Sequence, residues 1–153
     1  MEQQIEKLKE LLLIDEHDLD TECVKQPSIF FYVQEEYEKE VSIRDELKKE
    51  VTKIWSEEFL NAKRSGKVSD VVAKAIADSS ENYDRIYQQY LDSKHRAAIW
   101  GALKEAFQQR VPMLRDICNL YISGYYTDVS VKESRKIVDF KTIKKQLMED
   151  NNG

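Results

Sequence analysis

Apolar residues recur along the chain at intervals of three and four, the spacing of one face of an α-helix. The first such segment is residues 2–13, with apolar positions Ile5, Leu8, Leu11 and Leu12. An acidic connector with room for one or two helical turns, IDEHDLDTECVKQPS, follows it, and Pro27 near its end suits the first turn of a new helix. The pattern therefore predicts a short N-terminal helix and a second helix that begins near residue 27.

The longest regular pattern extends from about Pro27 to Arg64 and covers roughly five heptads. Its seam positions alternate in steps of three and four, and they are Phe30, Val33, Tyr37, Val41, Arg44, Leu47, Val51, Ile54, Glu58 and Ala62. Charged stretches such as EEYEKE and RDELKKE fill the positions between. A narrow apolar seam with charged flanks is typical of a coiled-coil helix, which needs a partner helix from the same chain or from another copy.

The stretch KRSGKVSD interrupts this pattern. Gly66 suits the C-terminal cap of one helix, and Ser69 suits the N-terminal cap of the next. The spacing then predicts a short helix over 70–78 whose apolar positions are Val71, Val72, Ala75 and Ile76. Either Ser79 or Ser80 would cap the helix that follows.

A second long helix is predicted from Tyr83 onward. Its apolar face comprises Ile86, Tyr90, Ala97, Trp100, Leu103, Phe107, Val111, Leu114, Cys118, Tyr121 and Tyr125. Pro112 interrupts the hydrogen bonding, so we expect a kink or a break near 109–112. We interpret Tyr121, Tyr125 and Tyr126 as a hydrophobic cap rather than a platform for bases. Beyond them, residues 133–149 suit either a final helix or a loosely ordered tail.

Four glycines and two prolines in 153 residues leave few turns, which favours long helices over sheets. We predict an all-α fold: an elongated helical hairpin or bundle with long coiled-coil-like helices that assembles as a homo-oligomer. The chain would be one domain, with acidic N-terminal helices (1–65), a second helical segment (66–126) and a basic C-terminal helix or tail (127–153). The predicted oligomer interface is Tyr37, Val41, Leu47, Val51, Ile54, Trp100, Phe107 and Leu114.

The N-terminus is charged throughout, and no apolar run approaches the roughly 18 residues of a membrane span. The sequence therefore predicts a soluble protein of the cytoplasm, with no membrane partner. In that reducing compartment Cys23 and Cys118 are expected to be buried thiols, with a disulfide as the less favoured alternative.

Sequence motifs for catalysis or metal binding are not found. An EF-hand loop beginning at Asp18 would need a glycine where Cys23 stands and a glutamate where Ile29 stands. Two distant histidines and two distant cysteines do not make a zinc site, and the four glycines form no phosphate-binding loop. We therefore expect a protein that is not an enzyme and uses no cofactor or metal.

Charge is distributed unevenly along the chain. Residues 1–60 contain 8 Lys and Arg against 17 Asp and Glu, a net charge of −9, whereas residues 61–153 contain 16 against 12, a net charge of +4. This asymmetry argues against nucleic acid coating the whole surface. The net positive charge of residues 61–153 is compatible with a localised face that binds phosphate.

The candidate phosphate contacts fall at two places. Lys63, Arg64 and Lys67 surround the turn after the long acidic helix, where cations and free backbone amides together favour phosphate. The alternative is that they only complement the negative end of the helix dipole. Arg110 and Arg115 flank Pro112 and could pair with phosphate or stack on a base. The alternative for these two is an ion pair with the acidic N-terminal half.

The order of these features resembles the UvsY-type recombination mediators of tailed phages and related small phage proteins. The resemblance spans most of the chain, and its best marks are LLLID at 11–15, the basic turn at Lys63 and Arg64, and WGAL at 100–103 with its amphipathic continuation. The longer C-terminus, residues 127–153, and Pro112 depart from that pattern.

The resemblance implies a helical protein that forms a ring-like oligomer and binds single-stranded DNA. It also implies a role in loading a RecA-like recombinase onto strands coated by a single-strand-binding protein. The basic turn would be the leading DNA contact. The rival hypothesis is a non-enzymatic phage assembly or adaptor protein that shares the coiled-coil seam and binds no DNA.

Overall fold

The computed structural model describes residues 2–66 and 68–125, and within these ranges the chain forms four α-helices and no strand. The helices are α1 (Glu2–Glu10), α2 (Leu19–Ser65), α3 (Asp70–Asp78) and α4 (Glu81–Ile122). The prediction of an all-α fold is confirmed for this part of the chain. The predicted helix at 133–149, together with Lys67 and Tyr126, lies outside the described residues.

Both prolines lie inside helices, which differs from the sequence prediction. Helix α2 begins at Leu19, so Pro27 is not in its first turn, and α4 continues through Pro112 without the break predicted near 109–112. Each proline removes the hydrogen bond that the residue four positions earlier would accept. Those residues are Cys23 and Gln108, and both are exposed.

The predicted serine caps are present in the two turns on either side of α3, whereas Gly66, predicted to cap the end of α2, does not have a positive φ. Ser69 has extended backbone angles, and its side chain accepts a hydrogen bond from the backbone N–H of Val72 at 3.4 Å. The Ser80 side chain likewise accepts a hydrogen bond from the backbone N–H of Tyr83 at 3.1 Å, so Ser80, not Ser79, caps α4. A serine hydroxyl at these positions satisfies an amide that the first helical turn leaves without a partner.

The chain divides into two compact units, and both α2 and α4 contribute to each. The first unit combines Met1–Tyr32 with Leu103–Gly153, and the second is Val33–Ala102. Each long helix therefore contributes residues to both units. The predicted division into 1–65, 66–126 and 127–153 instead placed each long helix in one segment.

In the first unit, α1 packs its apolar side into the interior. Ile5 and Leu8 are buried, as are Leu103, Phe107 and Leu114 of α4. Helix α1 ends at Glu10, earlier than predicted, and Leu11 is exposed. Two polar residues, Gln26 of α2 and Arg110 of α4, are also buried in this unit.

In the second unit, the interior is built largely from small side chains. Its buried residues are Val33 and Ala62 of α2, Ala73 and Ala77 of α3, and Ile86, Ser93, Ala97 and Trp100 of α4. At Gly101 of α4, an added Cβ would lie 3.2 Å from Cε2 of Tyr37. Glycine at this position lets the Tyr37 ring lie directly against the α4 backbone.

Candidate nucleic-acid interface

The basic turn that follows α2 is the leading candidate for phosphate contact, and its first cation is already engaged. The Lys63 ammonium donates hydrogen bonds to the carbonyl of Val68 at 3.0 Å and to a carboxylate oxygen of Asp70 at 2.8 Å. Lys63 therefore ties the end of α2 to the start of α3. The hydrogen bond and the charge of Lys63 hold the pKa of Asp70 below its ordinary value.

Arg64 differs from Lys63 in its surroundings. It is exposed in the last turn of α2, and it makes no hydrogen bond or ion pair within the described ranges. Its guanidinium can therefore reach a ligand without first breaking a contact to any residue of 2–66 or 68–125. Lys67, the third cation predicted here, lies outside the described residues.

Arg110 is buried, and its contacts support the alternative of an ion pair with the acidic N-terminal half. Its side chain is 3% exposed and forms a salt bridge with Glu22. The guanidinium also donates to the side-chain oxygen of Gln26 at 2.6 Å and to the carbonyls of Leu12 and Leu13 at 3.3 and 3.2 Å. Because its guanidinium is buried and hydrogen-bonded within the first unit, Arg110 is not accessible to DNA in this structure. We therefore no longer include it among the predicted DNA contacts.

Gln26 links this buried arginine to the backbone of α4. Its amide nitrogen donates to the carbonyl of Phe107 at 2.8 Å, while its oxygen accepts from Arg110. Both ends of the buried amide are therefore paired, as burial of a polar group requires. The sequence suggested an ion pair between Arg110 and the acidic N-terminal half as an alternative, but it did not identify Glu22 or Gln26, because neither belongs to an apolar face or a motif.

Arg115 is the other cation predicted near Pro112, and it faces solvent. Its side chain is 71% exposed, and its only described ion pair is with the adjacent Asp116 at 3.5 Å. An exposed pair of this kind is weak and is screened by salt. Arg115 stays available as a phosphate contact, although the turn residues Lys63 and Arg64 belong to the other unit.

The predicted oligomer interface separates into two groups. Trp100, Phe107 and Leu114 are buried within the single chain, so their prediction as contacts between copies is wrong. The seam residues of α2 remain half-buried, which leaves part of each side chain accessible: these are Tyr37, Val41, Leu47, Val51 and Ile54. The α2 seam is thus covered only in part by its own chain.

Within the second unit, polar contacts between α2 and α4 flank this seam. Arg96 donates to Glu40 at 3.0 Å, and Asn82 donates to Glu58 at 3.1 Å. Glu58 is one of the two polar positions of the predicted seam, and Asn82 gives its carboxylate a partner. These two hydrogen bonds link α2 to α4 within the second unit.

Helix α3 presents the opposite face from the one predicted. Its buried residues are Ala73 and Ala77, whereas Val71, Val72 and Ile76 are 77%, 47% and 43% exposed. Three larger apolar side chains therefore lie on the outside of the second unit. The tyrosine cap predicted at the end of α4 is also incorrect in part, since Tyr121 and Tyr125 are exposed.

Metal-binding clusters and membrane spans are both absent from the described ranges. No group of three or more His, Cys, Asp or Glu side chains is arranged to hold a metal ion among residues 2–66 and 68–125. The same residues contain no helix with the length and apolar character needed to cross a bilayer. Comparison of the chain with protein-family models, curated proteins and solved structures gave no significant match.

Proposed function

We propose that this protein is a non-enzymatic recombination mediator that binds single-stranded DNA through the basic turn after α2. The observation that carries the proposal is the exposed Arg64 beside Lys63, at the junction of two helices. Binding without base readout needs only cations along the backbone and surfaces for stacking. The basic second half of the chain adds a favourable long-range field.

Self-association belongs to the proposal because one copy offers few phosphate contacts. Lys63 would have to exchange its bond to Asp70 for a phosphate, whereas Arg64 has no described bond to break. A homo-oligomer formed through the half-buried α2 seam would repeat this weak site, and the contacts would add by avidity. Loading of a recombinase onto strands coated by a single-strand-binding protein is the role that the resemblance to the UvsY-type mediators suggests.

The first experiment measures binding of a fluorescent single-stranded oligonucleotide by anisotropy across a salt series, with light scattering on the same samples. We expect a defined oligomer whose affinity falls as salt rises. Replacing Lys63 and Arg64 together by alanine should weaken binding and reduce the salt slope by about 0.7 for each phosphate that is no longer neutralised. Helicity and oligomer size should remain unchanged.

A matched control removes the same charge from the same helix. Lys48 and Lys49 are exposed on α2, away from the turn, so the variant with alanine at both should bind as the wild type does. Equal losses of affinity in the two double variants would mean that only net charge matters. Salt-independent binding, or none, would reject the DNA-binding proposal.

A second candidate function is a helical assembly or adaptor protein that binds no DNA. The exposed apolar face of α3, formed by Val71, Val72 and Ile76, favours it, because such faces on soluble proteins often contact other proteins. A defined oligomer that binds no oligonucleotide at any salt concentration would support this function over the first.

A further inference from the structure

The two cysteines of the chain meet within the first unit although they are 95 positions apart in sequence. The Sγ atoms of Cys23 in α2 and Cys118 in α4 lie 3.9 Å from each other, and both are free thiols. Cys23 is exposed and Cys118 is half-buried. The expectation of two buried thiols is therefore wrong for Cys23, which a small solute can reach.

The surrounding structure holds these thiols within range of each other. Glu22, next to Cys23 on α2, forms the buried salt bridge with Arg110, which lies about two helical turns before Cys118 on α4. A disulfide needs a sulfur separation of about 2.05 Å, so the sulfurs must approach by roughly 2 Å. Rotation of two side chains about their Cα–Cβ bonds can supply a movement of that size.

We propose that Cys23 and Cys118 are an oxidisable dithiol, which a peroxide converts into an intramolecular disulfide that joins α2 to α4. One thiol loses its proton, the thiolate attacks a peroxide oxygen, and the O–O bond breaks. The departing hydroxide takes up that proton, so that a sulfenic acid and one water result. The second thiol attacks that sulfur and displaces the second water. Two electrons and two protons leave the thiols, and hydrogen peroxide becomes two molecules of water.

Although Cys23 is exposed, partial desolvation by the surrounding protein raises the pKa of its thiol, and the hydrogen bond and charge of Cys118 raise this pKa further. Among the charged neighbours, Arg110 lowers this pKa and Asp20 raises it. The thiolate is the reactive form, so the pair is protected near neutral pH and oxidation accelerates as the pH rises. A disulfide here would restrain the unfolded chain over a long loop.

The test treats the full-length protein with hydrogen peroxide and follows free thiols, intact mass and the thermal midpoint. The wild type should lose both thiols and the mass of two hydrogen atoms while remaining a single chain on non-reducing electrophoresis. Its thermal midpoint should rise by about 10 °C or more, and dithiothreitol should reverse all three changes.

The variants Cys23→Ser and Cys118→Ser are the controls, since each retains one thiol and cannot form the bond. Neither should show the reversible rise in thermal midpoint. Persistence of both thiols under peroxide, addition of oxygen without loss of hydrogen, or disulfides between chains only would each overturn the proposal. The outcome does not depend on the proposed DNA binding, because free thiols, intact mass and the thermal midpoint are all measured without DNA.

Discussion

The interiors of the two compact units are built from different kinds of side chain. The first unit buries a charged residue, Arg110, and satisfies it with Glu22, Gln26 and two backbone carbonyls. The second unit buries alanines at the surfaces where its helices meet, and most of its polar contacts lie at the surface. A buried ion network depends on every partner being present, whereas small-residue packing depends on shape.

The difference predicts that the first unit is the more sensitive to loss of a single polar group. Replacing Arg110 by alanine leaves the Glu22 carboxylate and the Gln26 oxygen without their main donor. We expect the free energy of unfolding to fall by about 3 kcal/mol, because the Glu22 side chain, 17% exposed, would keep a partly buried charge without its partner. Urea denaturation followed by circular dichroism measures this quantity.

Arg115→Ala is the matched control, since Arg115 lies on the same helix with its side chain 71% exposed. It should change stability by less than about 0.5 kcal/mol. Similar small losses of stability in both variants would mean that the Arg110 network contributes little, and the contrast between the units would disappear.

For the second unit, the largest expected effect comes from its bulkiest buried side chain. Trp100 is 1% exposed, and Trp100→Ala should cost about 3 kcal/mol in the same denaturation experiment, through reduced burial and the cavity left behind. The other tryptophan, Trp55, is half-buried and donates to Asp78 at 2.7 Å. Trp55→Ala should therefore cost less, and the reverse order would contradict this assignment of the core.

The smallest effect concerns the surface contact between Lys63 and Asp70. Because Lys63 lowers the pKa of Asp70 in the folded protein, the pair stabilises the fold above the ordinary aspartate pKa. That contribution is lost as the pH falls through the lowered value. In Lys63→Met, NMR titration of the Asp70 carboxyl should show its pKa rising towards the ordinary value.

Lys74 also lowers the pKa of Asp70, but only by its charge and less than Lys63 does. Lys74→Met should therefore raise this pKa by a smaller amount. If the two variants shifted it equally, the hydrogen bond from Lys63 to Asp70 would not persist in solution, and Lys63 would be as available to phosphate as Arg64.

The helices themselves were largely predictable from the sequence. The bounds of α3, the Ser69 cap and the run of buried or half-buried seam positions along α2 all follow from spacing and from local hydrogen bonding. The start of α2 was misplaced, because proline is over-represented in the first turn of a helix and Pro27 here lies further inside. The candidate turn was located by its charges, but the engagement of Lys63 by Asp70 was not foreseen.

What the sequence alone determined is therefore the element type, because helix periodicity and capping depend on residues within a few positions of one another. The spacing also indicated the inner side of α1, α2 and α4, whereas for α3 only the tertiary structure decided which side is inside. In α3 the buried residues are Ala73 and Ala77, whose small side chains allow close packing, whereas the more apolar Val71 and Ile76 are exposed. The same holds for Arg110 and for the meeting of Cys23 with Cys118, since such contacts depend on how distant segments pack and not on any local pattern.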